Sequence, residues 1–312
     1  MGEARFDVLG WGAVAVDDLI YVDRHPAPDT KVIVEEELRQ GGGLTATALV
    51  AVARLGGRAA YAGVLGEDDL SLYTLRELER EGVDCSLVLR RTGAGPIHAR
   101  VIVDRSTGGR CILANRSRCM ERPLEEITEG LVLSGRVLFV DSIAAVSGLY
   151  GAELARRLGV PVVADIEHTH EVARSLAEKV DHLIINQEVA TALTGQADPP
   201  GAVRALAKRG YACVVVTAGA QGAWYAVGGG PVQYQRAFSV PVVDTTGCGD
   251  VFHGTYALCL ARGLPLPESI RRASAAAALK ATRPGGRAGI PTWEALEQFL
   301  QGESLEMTPV LR

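Results

Sequence analysis

Apolar residues come in short blocks along this chain. Runs at 6–10, 58–63, 137–140, 161–164, 182–185 and 212–217 are bounded by polar residues or glycine, and several are rich in Val and Ile with nothing polar inside. A strand covered on both faces reads this way, as in a parallel sheet flanked by helices. Between these runs lie helical patterns at 44–55, 70–81, 151–158, 171–180, 187–193 and 202–209. Strands alternating with helices of this length predict an α/β fold, a doubly wound and mostly parallel sheet with helices on both faces.

Two regions break the rhythm. Segments 16–23 and 31–38 mix apolar and charged residues around a proline-containing turn, and 97–104 and 110–115 read as a hairpin about Ser106-Thr107-Gly108-Gly109. These four segments predict half-exposed antiparallel strands, a small β lid made from about 16–38 and 97–115. A further hairpin is expected at 223–227 and 232–234 around three glycines. The chain after residue 247 is Ala-rich, with helices over 251–282 and 293–300. No repeat and no low-complexity linker interrupts it, so a single domain spanning 1–312 is expected.

Composition narrows the function. Of 312 residues, 47% are hydrophobic and 22% charged, and 32 Lys plus Arg against 37 Asp plus Glu leave a net charge of −5. That is no nucleic-acid binder's balance, although a local basic pocket for a phosphorylated ligand is compatible with it. The six cysteines form no C-x-x-C pair, so a zinc ribbon or thioredoxin-type site has no support. The start lacks the apolar run of a signal peptide, and no stretch reaches the ~18 apolar residues of a membrane helix. A reduced, cytoplasmic protein with no membrane partner is expected.

The candidate chemistry lies at strand ends and glycine-rich turns. Asp141, Asp165, Asn186 and Thr217 end apolar runs, where doubly wound sheets bind ligands. Asp244-Thr245-Thr246-Gly247-Cys248-Gly249-Asp250 opens a helix. One reading makes this turn an anion site: unpaired N–H groups hold a transferring phosphoryl group and Asp250 takes the proton of the attacking hydroxyl. The other makes it a tight turn with Asp250 as cap. A thiol at a helix start is expected to be unusually acidic, so Cys248 should ionise readily. Gly41-Gly42-Gly43 leads into another helix and could present backbone N–H groups to a polyol. Gly-Lys never occurs, so there is no P-loop. Gly10-Trp11-Gly12-Ala13-Val14-Ala15 fits G-x-G-x-x-A, the basis of a rival dinucleotide oxidoreductase, but strand and loop follow it where a helix is required.

Together these motifs resemble the ribokinase-like (PfkB) sugar kinase family along nearly the whole chain. The Gly42-Gly43 pair, the strand ending Val215-Val216-Thr217-Ala218-Gly219-Ala220-Gln221-Gly222, the 244–250 turn and the loop from Arg283 to Thr292 carry the resemblance. It implies an ATP-dependent kinase acting on a small-molecule sugar. Asp250 would be the base, and Gly247, Cys248 and Gly249 the anion hole. Asp17, Gly42, Gly43 and Thr47 would lie at the sugar, and Asn186, Thr217, Gly219, Gly222 and Gly286 at ATP. Mg²⁺ is implied with Glu188 as its nearest acid, a monovalent cation is compatible, and a homodimer through the lid fits an exposed lid face.

Three positions depart from the family pattern. Thr47 stands where many members have Asn, Glu188 is one residue short of the usual N-x-x-E spacing, and Cys248 replaces an Ala. The first two, with Asp181–Ile184 and Phe252-His253-Gly254, resemble the branch containing sulfofructose kinase and ketohexokinase-like enzymes. An anionic sugar derivative follows as an expectation, with Lys31 as the pairing cation. The displaced Glu188 motivates the alternative of a binding regulator without turnover. His253, three residues beyond Asp250, is either a rival base or packing behind the site.

Overall fold

Every long apolar run becomes a strand. The computed structural model describes residues 4–34, 36–107 and 109–306, so Glu35 in the expected second lid strand and Gly108 in the expected lid turn lie outside the described residues. The chain begins with β1 (Phe6–Trp11), β2 (Ala15–Val22), β3 (Glu36–Gly42), α1 (Leu44–Arg54), β4 (Ala59–Tyr61), β5 (Val64–Leu65), α2 (Asp69–Arg80) and β6 (Leu89–Arg90). It continues through β7 (Ile97–Asp104), β8 (Arg110–Asn115), α3 (Glu129–Leu133), β9 (Gly135–Asp141), α4 (Ala145–Leu158), β10 (Val162–Asp165), α5 (Glu171–Ala177) and β11 (His182–Asn186). It closes with α6 (Gln187–Thr194), α7 (Pro199–Ala207), β12 (Cys213–Thr217), β13 (Ala223–Val227), β14 (Gln233–Gln235), α8 (Cys248–Ala261), α9 (Leu266–Ala281) and α10 (Trp293–Glu306).

The main sheet has eight strands in the order β14-β13-β12-β11-β10-β9-β1-β4. From β4 to β12 neighbours run parallel, and the hairpin β13–β14 adds an antiparallel edge. Alternate residues bury into two separate cores. Val137, Phe139, Val163, Ile184 and Val215 face α1, α8 and α9. Leu138, Val140, Val162, Leu183 and Val214 face α4 to α7. Both faces are covered, which is why these strands show no polar alternation. The chain passes to opposite sides of β1 to reach β4 and β9, so the switch point lies at the carboxyl end of β1.

The lid is a second sheet, β3-β2-β7-β8. Two of its three pairings are antiparallel as expected, but β2 and β7 are parallel. These two strands belong to separate excursions from the body and leave it in the same direction, Val14 accepting from the Ile97 N–H at the shared base. The second lid strand is also displaced. Residues 31–34 have no regular structure and Ile33 is 86% exposed. Pairing starts at Glu36 opposite Tyr21 and ends at Gly42 opposite Ala15. Across the lid, Leu38, Leu19, Val101 and Ile112 form one apolar row on the face that carries Asp17.

Candidate active site

Helix α8 starts at Gly247, whose φ of 75° is a left-handed conformation suited to glycine. A Cβ there would come within 2.6 Å of the Gly286 carbonyl, so the closing loop lies directly against the turn. The Cys248 N–H turns back to Thr245 O at 3.2 Å, and the Val251 N–H bonds Gly247 O at 2.9 Å. The N–H groups of Gly249 and Asp250 between them find no acceptor among the described residues. Such orphan donors at a helix start favour an anion.

Asp250 sits over these donors and lines a cavity of about 150 Å³ with Ala13, Gly43, Leu44, Ile97, Arg116, Ile143 and Glu167. The cavity lies at the switch point: Ala13 follows β1, Ile143 follows β9, Ile97 and Arg116 come from the lid, and Gly43 starts α1. A wider depression of about 470 Å³ lies over lid residues Asp18, Arg39 and Arg100, but it holds none of this constellation. Desolvation pushes the Asp250 carboxyl well above the usual carboxylate range, helped by Asp165 and Glu167, while Arg287 pulls it down. Desolvation and the Asp165 charge likewise raise Glu167 to about 7. Glu167 is open to the cleft by surface area, so protein on its other sides supplies that desolvation.

Cys248 departs from expectation. Its thiol points away from the turn and donates to Ala277 O on α9 at 3.4 Å. Burial raises its pKa, the reverse of the expected acidification. Only its backbone belongs to the turn. Behind it, the Asp244 carboxylate accepts from the Thr246 N–H (2.8 Å), the Thr246 hydroxyl (2.7 Å) and the Gly285 N–H (2.9 Å), and pairs with Arg110 of the lid at 3.2 Å. The fully buried Lys280 donates to the Asp244 carbonyl at 2.8 Å. The turn, the closing loop and the lid therefore meet on one residue.

Of the residues expected at the sugar, Asp17 lies so close to Gly42 that a Cβ at 42 would run into its carboxylate. Gly43, with φ 94°, caps α1 against Ala13 O. Thr47 is buried and its hydroxyl accepts from Arg287 Nε at 3.3 Å, while Arg287 Nη2 donates to Gly42 O at 3.0 Å. Arg287 belongs to the loop from Arg283 to Thr292, whose Gly286 was expected at ATP, yet it reaches the Gly-Gly turn. Burial drops it to about 10, opposed by the nearby Glu81, Asp17 and Asp250 charges. Lys31 is exposed and does not line the cavity, where Arg116 stands instead.

The residues expected at ATP gather at neighbouring strand ends. Asn186 and Thr217 are register partners on β11 and β12, and Gly219 and Gly222 follow with φ of 55° and 88°. The Asn186 side chain caps α6 by accepting from the Val189 N–H at 2.9 Å. Glu188 is exposed in the first turn of α6. Among the described residues no group of three or more His, Cys, Asp or Glu is placed to hold a metal ion.

Two strand-end acids serve structure. Asp141, fully buried, accepts from the Ala13 N–H and the Thr45 hydroxyl, both at 2.6 Å, and from the Ile143 N–H at 2.9 Å, tying β1, α1 and β9 together. Asp165 Oδ2 lies 3.4 Å from His253 Nδ1. His253 bonds Gly249 O through Nδ1 at 2.8 Å and Ile184 O through Nε2 at 2.9 Å. With both nitrogens engaged by backbone carbonyls, it is not a rival base. Arg116, Glu167 and Arg287 escape a reading of sequence, since each reaches the site from a distant segment, although Arg287 lies inside a motif that was noticed.

The architecture has known counterparts. A protein of known structure from Agrobacterium tumefaciens, provisionally assigned as a ribokinase, is 32% identical and superposes with a TM-score of 0.87 over 98% of this chain and 99% of its own. Arabidopsis thaliana ribokinase, solved with ribose and ATP, has the same fold at 22% identity and a TM-score of 0.82, covering 95% of this chain and 99% of its own. By sequence, the ribokinase of Haemophilus influenzae is 27% identical over 93% of this chain and 97% of its own. Fold and sequence together define an ATP-dependent sugar kinase. The sequence profile described as pfkB family carbohydrate kinase matches residues 6–293, and the chain belongs to that family.

Proposed function

We propose that Asp250 is the general base for transfer of the ATP γ-phosphoryl group to a primary hydroxyl of a sugar or sugar derivative. The observation that carries this reading is the Asp250 carboxylate, which shares the cavity beneath the lid with the Gly43 turn and adjoins the unpaired N–H groups of 249 and 250. Asp250 takes the proton of the acceptor hydroxyl as its oxygen attacks phosphorus. The bond from the γ-phosphorus to the bridging oxygen breaks, and ADP leaves with the electron pair. The N–H groups hold the phosphoryl oxygens throughout. Asp17 and the Gly42-Gly43 backbone orient the sugar, and Thr217, Gly219, Gly222 and Gly286 flank the nucleotide.

Mg²⁺ fits as a phosphate- and water-held ion, because among the described residues no cluster of acids forms a metal cage and Glu188 stands in the first turn of α6. It would supply charge neutralisation on the phosphates. Free cysteines suit a reducing compartment, and the location that goes with ATP is the cytoplasm. The exposed ends of the lid's apolar row, Leu38 and Ile112, support a lid-to-lid homodimer.

A place near the sulfofructose kinase and ketohexokinase-like branch rests on Thr47 and the displaced Glu188. Arg116 favours an anionic acceptor, being a cation that lines the cavity with no ion pair of its own among the described residues. The test is ADP release across neutral and anionic sugars, for wild type and Asp250→Asn. Removing a positioned base should cost ~10²–10⁴ in kcat with ATP affinity nearly unchanged. Turnover within about threefold of wild type, a loss far smaller than that range, would exclude Asp250 as the base. No ADP release from wild type on any sugar would favour a regulator without turnover. Exchanging potassium for tetramethylammonium in the same assay reads any need for a monovalent cation.

A further inference from the structure

His253 is 5% exposed and has acceptors at both ring nitrogens, the carbonyl oxygens of Gly249 and Ile184. A neutral imidazole has one N–H donor and one lone pair. Either tautomer would aim that lone pair at a carbonyl oxygen in a site closed to water. Asp165, 4% exposed, brings a carboxylate oxygen to 3.4 Å from Nδ1, the opposite charge that a buried cation requires. The ring is further held edge-on by Phe139, with centroids 6.2 Å apart.

We propose that His253 carries a proton on both ring nitrogens and, paired with Asp165, is a positioning residue that clamps the first turn of α8 to β11. One N–H holds the carbonyl of Gly249, the residue before Asp250, and the other holds the end of a central strand. The clamp fixes the height of the anion turn above the sheet. It also cancels the Asp165 charge, which otherwise opposes ionisation of Asp250. The groups around the ring are Asp165 from β10, Glu167 just beyond it, Asp141 at the end of β9 and Asp250 on its own helix, while β11 presents the Ile184 carbonyl. Two cations act on these acids as well, Arg116 on Glu167 and Arg287 on Asp250, while Asp165 is the charged group paired with the ring.

The kinetic consequence rests on the reading of Asp250 as base; the protonation does not. The full chain, labelled with ¹⁵N-histidine and free of ligand in neutral buffer, should show both His253 nitrogens at the protonated position, assigned by their loss in His253→Gln. A nitrogen at the unprotonated position overturns the proposal. If His253→Gln does not fold, Asp165→Asn replaces it, and one nitrogen of the same ring should then lose its proton; no change would overturn the pairing. In kinetics, His253→Gln should move the acid limb of kcat/KM upward by at least about 0.5 pH unit. The double variant His253→Gln/Asp165→Asn should return it towards wild type. A purely structural lesion would lower kcat without moving the limb, and the double variant would be the worse of the two; either result refutes the charge-cancelling role. If Asp250 is not the base, the Asp250→Asn test fails while the ¹⁵N result stands.

Discussion

Desolvation places the Glu167 carboxyl close to neutral pH. Loss of solvent and the neighbouring Asp165 carboxylate hold it at about 7, with Arg116 opposing that rise. Above that pH it is an anion facing the sugar cavity; below it, a neutral acid. If the acceptor carries a negative group, protonating Glu167 removes a repulsion, so KM for an anionic sugar should fall as pH drops from about 8 to about 6. Glu167→Gln should flatten that slope, which KM measured against pH in both proteins checks. The same scale shows where sequence misleads. Cys248 has the helix-start position of an acidic thiol, but its side chain turns into α9, where burial dominates. Arg287 follows Gly286, which the family resemblance puts at ATP, and only the fold brings it within 3.3 Å of Thr47.

Between elements, the crossing of α1 and α8 sets the separation of the Gly43 and Gly247 turns, and on the proposed function that of sugar and phosphate. Helix α1 starts at Gly43 and α8 at Gly247. They touch at Gly254, where a Cβ would collide with the Ala48 carbonyl. Backbone cannot yield there as a side-chain tip can. Gly254→Ala should therefore cost ~1–3 kcal/mol of stability by overpacking and lower kcat more than a distant substitution of equal cost; urea unfolding with steady-state kinetics measures both. The main strands were legible because both of their faces are buried, which leaves an unbroken apolar run. The second lid strand was legible only in part. Val32, Ile33 and Val34 have β-branched side chains, yet 31–34 lies outside the pairing, which spans Glu36 to Gly42 opposite β2. Nor does composition carry strand direction, so the parallel β2–β7 pair could not be read.

For the whole molecule, the doubly wound sheet and its β lid followed from the alternation of runs, whereas contacts between distant segments waited for the fold. The lid's apolar row ends in Ile112, 61% exposed. If two lids pack on that row, wild type should sediment near twice its chain mass of 33.0 kDa, and Ile112→Glu should sediment as a single chain while remaining folded. On the proposed function, the two halves of the site differ in what they are made of. The phosphoryl half is mostly main chain: the N–H groups of 249 and 250, and the Gly247 turn pressed on the Gly286 carbonyl. The acceptor half relies on side chains such as Asp17, Arg116 and Glu167. Codon changes reach side chains far more readily than peptide groups, so the two halves differ in evolvability. A directed-evolution library confined to positions 17, 116 and 167 would search acceptor chemistry while the donor-handling peptide frame stays constant. A new sugar preference is therefore a shorter mutational walk from this sequence than a new phosphoryl donor.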